Sequence, residues 1–216
     1  FRDENDTKVF VTSNYKLFVN ELFIEICKET PAFSAERLSL EYWDKYKNWF
    51  PQVHQESCVR TIVELVKMAF AEFAKRDSVG MLLFLKNKDY PKSVVGNEII
   101  MYAIGELPIT YSDDAIEWLL SDFRYRVFVY TSEKDNLKYT KHIIEKFSSV
   151  CRIELFQELE EKICSWKDDV KRMVEIYRYR LKVDKEHPLD AMYYTYWGRF
   201  QKELLQSMNR KKLSIP

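Results

Sequence analysis

The stretch "HQESCVRTIVELVKMAFAEFAKR", residues 54–76, decides the fold class. Its apolar side chains recur three and four residues apart, which places them on one side of an α-helix as a wide stripe. A strand would alternate apolar and polar residues instead, so the stretch predicts an amphipathic helix packed on a core. The predicted stripe consists of Val59, Ile62, Val63, Val66, Phe70 and Phe73.

The same helical periodicity recurs along the rest of the chain. The segment "SNYKLFVNELFIEICKE", residues 13–29, has Ser13 as a candidate N-cap, and "SDDAIEWLLSDF" begins at Ser112 with two acids, which favour a helix start. Only "KVFVT" (8–12) and "RYRVFVY" (124–130) have strand propensity, and we expect extended linkers or short helical turns there, with at most one hairpin. In the 13–29 helix the predicted apolar face consists of Leu17, Val19, Leu22, Phe23 and Ile26.

The chain is poor in glycine, with four in 216 residues. Folds that wrap backbone around phosphates, and all-β folds with tight turns, need more of it. The sequence therefore predicts an all-α protein of about ten helices of ordinary length. Because helix pairs recur roughly every 40 residues, we expect a HEAT/ARM-like α-solenoid; an irregular helical bundle is the alternative. We expect one domain over residues 1–216, with an internal division near residues 108–112.

Charge and hydropathy exclude several classes of protein. Lys and Arg together number 34, as do Asp and Glu, so the chain lacks the basic surplus that is typical of general nucleic-acid binders. It also lacks the roughly 18-residue apolar run of a membrane helix and a secretory signal. We expect a cytoplasmic protein without membrane contact. Because the chain starts on Phe1, we further expect a piece of a longer protein or a processed start.

Motifs for catalysis or metal binding are missing from the sequence. Four cysteines are spread singly, and no histidine pair has the spacing of a helical metal site, so we expect no metal and no cofactor. One pair of residues points to chemistry. Arg180 and His187, in "RLKVDKEH", have a spacing that resembles the R-x(4–6)-H pattern of HEPN ribonucleases. That resemblance implies a helical ribonuclease as an alternative to a non-catalytic protein.

Basic and aromatic residues are interleaved in two places. Such residues stack on bases, hold phosphates, or form hot spots of protein interfaces, but arginine stems also pack on aromatic rings of their own chain. The sequence therefore leaves open a protein interface, a nucleic-acid-binding module and simple packing. The candidate binding residues are Arg124, Arg126, Arg172, Arg178, Tyr179, Lys182 and Tyr194.

The last third of the chain contains three helix-packing motifs. "IIEKFS" begins at Ile143, "LEEKI" at Leu159, and "WGRFQKELL" at Trp197, which a basic "KLS" follows at Lys212. In these motifs the chain resembles helical-repeat regions of large bacterial STAND-type ATP-binding proteins, including anti-phage defence proteins. The resemblance implies a sensor or scaffold segment whose NTPase lies elsewhere. Our interpretation is a non-catalytic scaffold that binds a protein partner.

Overall fold

The computed structural model describes residues 4–29, 57–87, 93–126, 137–165 and 201–208. Within these ranges 89% of the residues are helical and none lies in a strand. The prediction of an all-α fold is confirmed for this part of the chain.

The first helices are separated by a short turn at Asn14. Helix α1 spans Glu4–Ser13, and α2 continues through Tyr15–Leu17, a π-helical turn at Phe18–Leu22 and Phe23–Glu29. Two expectations are wrong here. The segment "KVFVT" lies inside the ten-residue α1 rather than in a linker or a short turn, and Ser13 ends α1 instead of capping α2.

The π-turn changes which side of α2 faces the core. Val19 and Phe23 are buried as predicted, but Leu17 and Leu22 are 56% and 37% exposed. Phe18 is buried in their place. The turn is closed by the Phe23 N–H, which donates to the Phe18 carbonyl five residues earlier. Because a π-turn holds more residues than an α-turn, it rotates the helical register and shifts the buried face.

Three helices follow in the next described parts of the chain. Helix α3 spans Ser57–Arg76, α4 spans Ser78–Asn87 and α5 spans Val94–Glu106. Asp77 separates α3 from α4, and its Oδ1 accepts a hydrogen bond from the Gly80 N–H at 2.8 Å.

The predicted stripe of α3 faces the core with one exception. Val63, Val66 and Phe70 are buried and Phe73 is half-buried, but Ile62 is 40% exposed. The side chain of Val59 lies outside the described residues.

The second half of the chain adds further helices. A 3₁₀ turn at Ile109–Tyr111 leads into α6 (Ser112–Ser121), followed by the short α7 (Phe123–Arg126) and α8 (Lys138–Phe147). Residues 153–165 form α9 and residues 201–207 form α10. Helix α6 begins at Ser112 as predicted, but Tyr111 is in the N-cap position and makes no side-chain capping bond.

Helix α5 lies at the centre of the packing. Its contact with α3 is the most extensive between any two described helices, and it also packs against α2 and α8. Helices α1 and α2 pack on α3, while α6 packs on α8. The buried apolar residues of the described chain, apart from Ala71, form one cluster. Its largest fully buried side chains are Phe23, Phe70, Phe147, Met81, Ile99, Ile100, Met101, Ile104, Leu107, Ile116, Leu119 and Leu137.

The division expected near residues 108–112 coincides with the turn between α5 and α6. Helix α8 packs against both of these helices. The single domain, the division within it and the solenoid arrangement stay predictions.

Candidate functional site

A buried ion pair joins the two central helices. Lys67 of α3 and Glu98 of α5 are 4% and 2% exposed, and the Lys67 ammonium pairs with the Glu98 carboxylate. Both positions lie among buried apolar residues. Charges removed from water at this depth require close partners, because desolvation is costly for each ion.

The ion pair is extended by three further side chains. The Lys67 Nζ also donates to Glu64 Oε1 at 3.0 Å and to the Tyr139 hydroxyl at 3.2 Å. It lies 5.4 Å from the centre of the Tyr139 ring, which meets the Tyr102 ring edge-on at 5.8 Å. We call Lys67, Glu98, Glu64, Tyr139 and Tyr102 the Lys67 cluster. Because Tyr139 belongs to α8, the cluster connects α3, α5 and α8.

The protonation states of the cluster follow from its burial and charges. Burial lowers the pKa of Lys67, but the neighbouring Glu98 carboxylate raises that pKa by a larger amount. The pKa of Lys67 therefore lies above its ordinary value. Burial raises the pKa of Tyr139 and of Tyr102. Lys67 is therefore an ammonium at neutral pH and both tyrosines are neutral phenols. In these states Lys67 donates hydrogen bonds and is not a nucleophile, and the cluster fixes the relative positions of three helices.

A second polar group lies at the C-terminal end of α5. Lys146 of α8 donates to the Gly105 carbonyl at 2.6 Å, and Lys75 of α3 pairs with Glu106 at 2.7 Å. Burial lowers the pKa of Lys146, whereas the hydrogen bond that Lys75 donates to Glu106 raises the pKa of Lys75. Cations at this end are favoured by the helix dipole. The group ties α3 and α8 to the end of α5.

Arg126 is the one predicted binding residue whose side chain the structure describes. Its guanidinium lies 3.9 Å from the centre of the Trp118 ring, and it donates to the Ser121 hydroxyl. Arg126 is only 7% exposed. Its position therefore favours packing on an aromatic ring of its own chain over contact with a partner.

The side chains of the other predicted site residues lie outside the described residues. Arg124 belongs to α7, but its side chain lies outside the described residues. The remaining candidates stay predictions because they too lie outside the described ranges, and these are Arg172, Arg178, Tyr179, Arg180, Lys182, His187 and Tyr194.

The Lys67 cluster itself was missed by the sequence reasoning, although a signal for it exists. Lys67 lies within the apolar stripe of α3, four residues after Val63 and three before Phe70. Glu98 is the single charge in the long apolar run of residues 94–105. One isolated charge on each of two apolar helix faces, with opposite signs, predicts a buried ion pair.

The motifs behind the STAND-type resemblance contain packing residues where the structure describes them. Buried side chains include Phe147, Leu159 and Leu204. The Gln201 side-chain amide donates to the carbonyls of Ile163 and Cys164 at 3.0 and 2.9 Å, which joins α10 to the end of α9.

Two groups of exposed apolar side chains lie outside the core. Val9, Phe10 and Leu17 lie on α1 and α2, and Val79 and Leu83 lie on α4. We call the first group the N-terminal face and the second the α4 face. Large exposed apolar side chains that lie together mark interaction sites more often than single ones do.

Membrane spanning and metal binding find no support in the described residues. No helix in these ranges is both long and apolar enough to cross a bilayer. The same ranges contain no group of three or more His, Cys, Asp or Glu residues that could hold a metal ion.

No protein-family model, curated protein or solved structure matches this chain.

Proposed function

We propose that the chain is a non-catalytic, HEAT-like helical scaffold or sensor segment that binds a protein partner. On this proposal it belongs to a larger cytoplasmic bacterial protein of the anti-phage defence kind that its sequence resembles. The N-terminal face is the observation that carries the partner-binding role.

The N-terminal face combines exposure with fixed geometry. Val9, Phe10 and Leu17 are 63%, 44% and 56% exposed. Phe10 and Leu17 flank the turn at Asn14, where α1 ends and α2 begins. The Phe10 ring packs edge-on against the buried Phe18 ring, with 6.1 Å between the ring centres.

The junction beneath this face is held by hydrogen bonds. The Asn14 backbone N–H and its side-chain amide both donate to the Phe10 carbonyl, at 3.1 and 2.8 Å. The Leu17 N–H in turn donates to the Asn14 carbonyl at 3.0 Å. A face that is already ordered loses less conformational entropy when a partner binds. Aromatic residues in such positions are typical anchors of protein interfaces.

The proposal is tested by photo-crosslinking in cells. A photoreactive amino acid replaces Leu17 in one variant and Ile109, which is also exposed, in a control variant. We expect a crosslinked product of defined mass at position 17 that is absent at position 109. Phe10→Ser in the Leu17-labelled chain removes that product while the helical circular dichroism is unchanged. The same products at both positions, or no product at position 17, would contradict the proposal.

A further inference from the structure

We draw no further inference here: the strongest candidate, the α4 face with its exposed Val79 and Leu83, carries none because nothing in the structure shows what covers it.

Discussion

At the scale of single residues, Lys67 determines much of how the central helices fit together. The helical pattern of α3 places an apolar side chain at this position, and the chain has an ammonium there instead. The Coulomb attraction between Lys67 and Glu98 roughly offsets the cost of removing both from water. We therefore expect the pair to specify which faces of α3 and α5 meet, more than to add net stability.

Removal of one partner of the buried pair tests this interpretation. Lys67→Met leaves the Glu98 carboxylate buried without its ammonium, so we expect a loss of about 3–5 kcal/mol in the free energy of unfolding. The double variant Lys67→Met/Glu98→Leu removes both charges and costs much less than the sum of the single changes. Urea unfolding measures both quantities. Lys28→Met, which breaks an exposed pair with Glu25, is the control and changes little. Additive losses in the double variant would contradict the interpretation.

Cys27 makes the stability of the fold sensitive to alkaline pH. Its thiol is buried, and burial raises the pKa of Cys27 from 9.0 to about 11. Between these values the unfolded chain releases the proton and the folded chain keeps it. The contribution of Cys27 to the free energy of unfolding is therefore complete below pH 9. As pH rises towards 11, the free energy of unfolding falls by roughly 2–3 kcal/mol.

The measurement compares the free energy of unfolding at about pH 8 and about pH 11 in the wild type and in Cys27→Ala. We expect the wild type to lose more stability than the variant, since the variant lacks the thiol. Cys164→Ala, which removes an exposed thiol instead of the buried one, is the control. If the free energy of unfolding falls equally with pH in the wild type and in Cys27→Ala, the thiol does not contribute to the pH dependence of stability.

At the scale of the helices, the sequence predicts which segments are helical better than it predicts which face of each helix is buried. The periodicity of residues 54–76 and 112–123 correctly predicts α3 and α6. It fails for Leu17 and Leu22 of the predicted face of α2, because the π-turn at Phe18–Leu22 shifts the register and has no signature in apolar spacing. It also fails for "KVFVT", because packing of α1 on α3 overrides the strand propensity of β-branched residues.

Helix α5 depends on a glycine at one of its contacts. A Cβ atom at Gly96 would lie 2.5 Å from the Cys27 Sγ and 2.9 Å from the Ser93 Oγ. We expect Gly96→Ala to destabilise the fold by about 1–3 kcal/mol through overpacking, despite the better helix propensity of alanine. Thermal unfolding measures the loss, and Gly96→Ala/Cys27→Ala recovers part of it because the sulfur is removed.

Gly105→Ala is the matched control for this contact. A Cβ atom at Gly105 would lie 2.7 Å from His142 Cδ2, but His142 is exposed and its ring can rotate away. We expect little change in stability, since alanine favours the helix. If both glycine variants lose the same stability, the close contact with Cys27 is not what requires glycine at position 96.

At the scale of the whole molecule, the all-α fold follows from the sequence, but the arrangement of helices does not. Composition and periodicity give α4 and α5 almost the same character, and only the structure shows that α5 is enclosed while α4 is exposed on one side. The Lys67 cluster was predictable as two isolated charges. Its connection to Tyr139 of α8 was not, because that contact spans 72 residues of the chain.

Native-state hydrogen exchange, resolved to individual helices, tests most directly the claim that α5 is the centre of the packing. Helices enclosed by others exchange only when the whole fold opens, whereas peripheral helices open locally at lower free energy. We predict that amides of α5 exchange with the free energy of global unfolding and that those of α1 exchange with a smaller one. Exchange of α5 at a free energy as low as that of α1 would contradict the account.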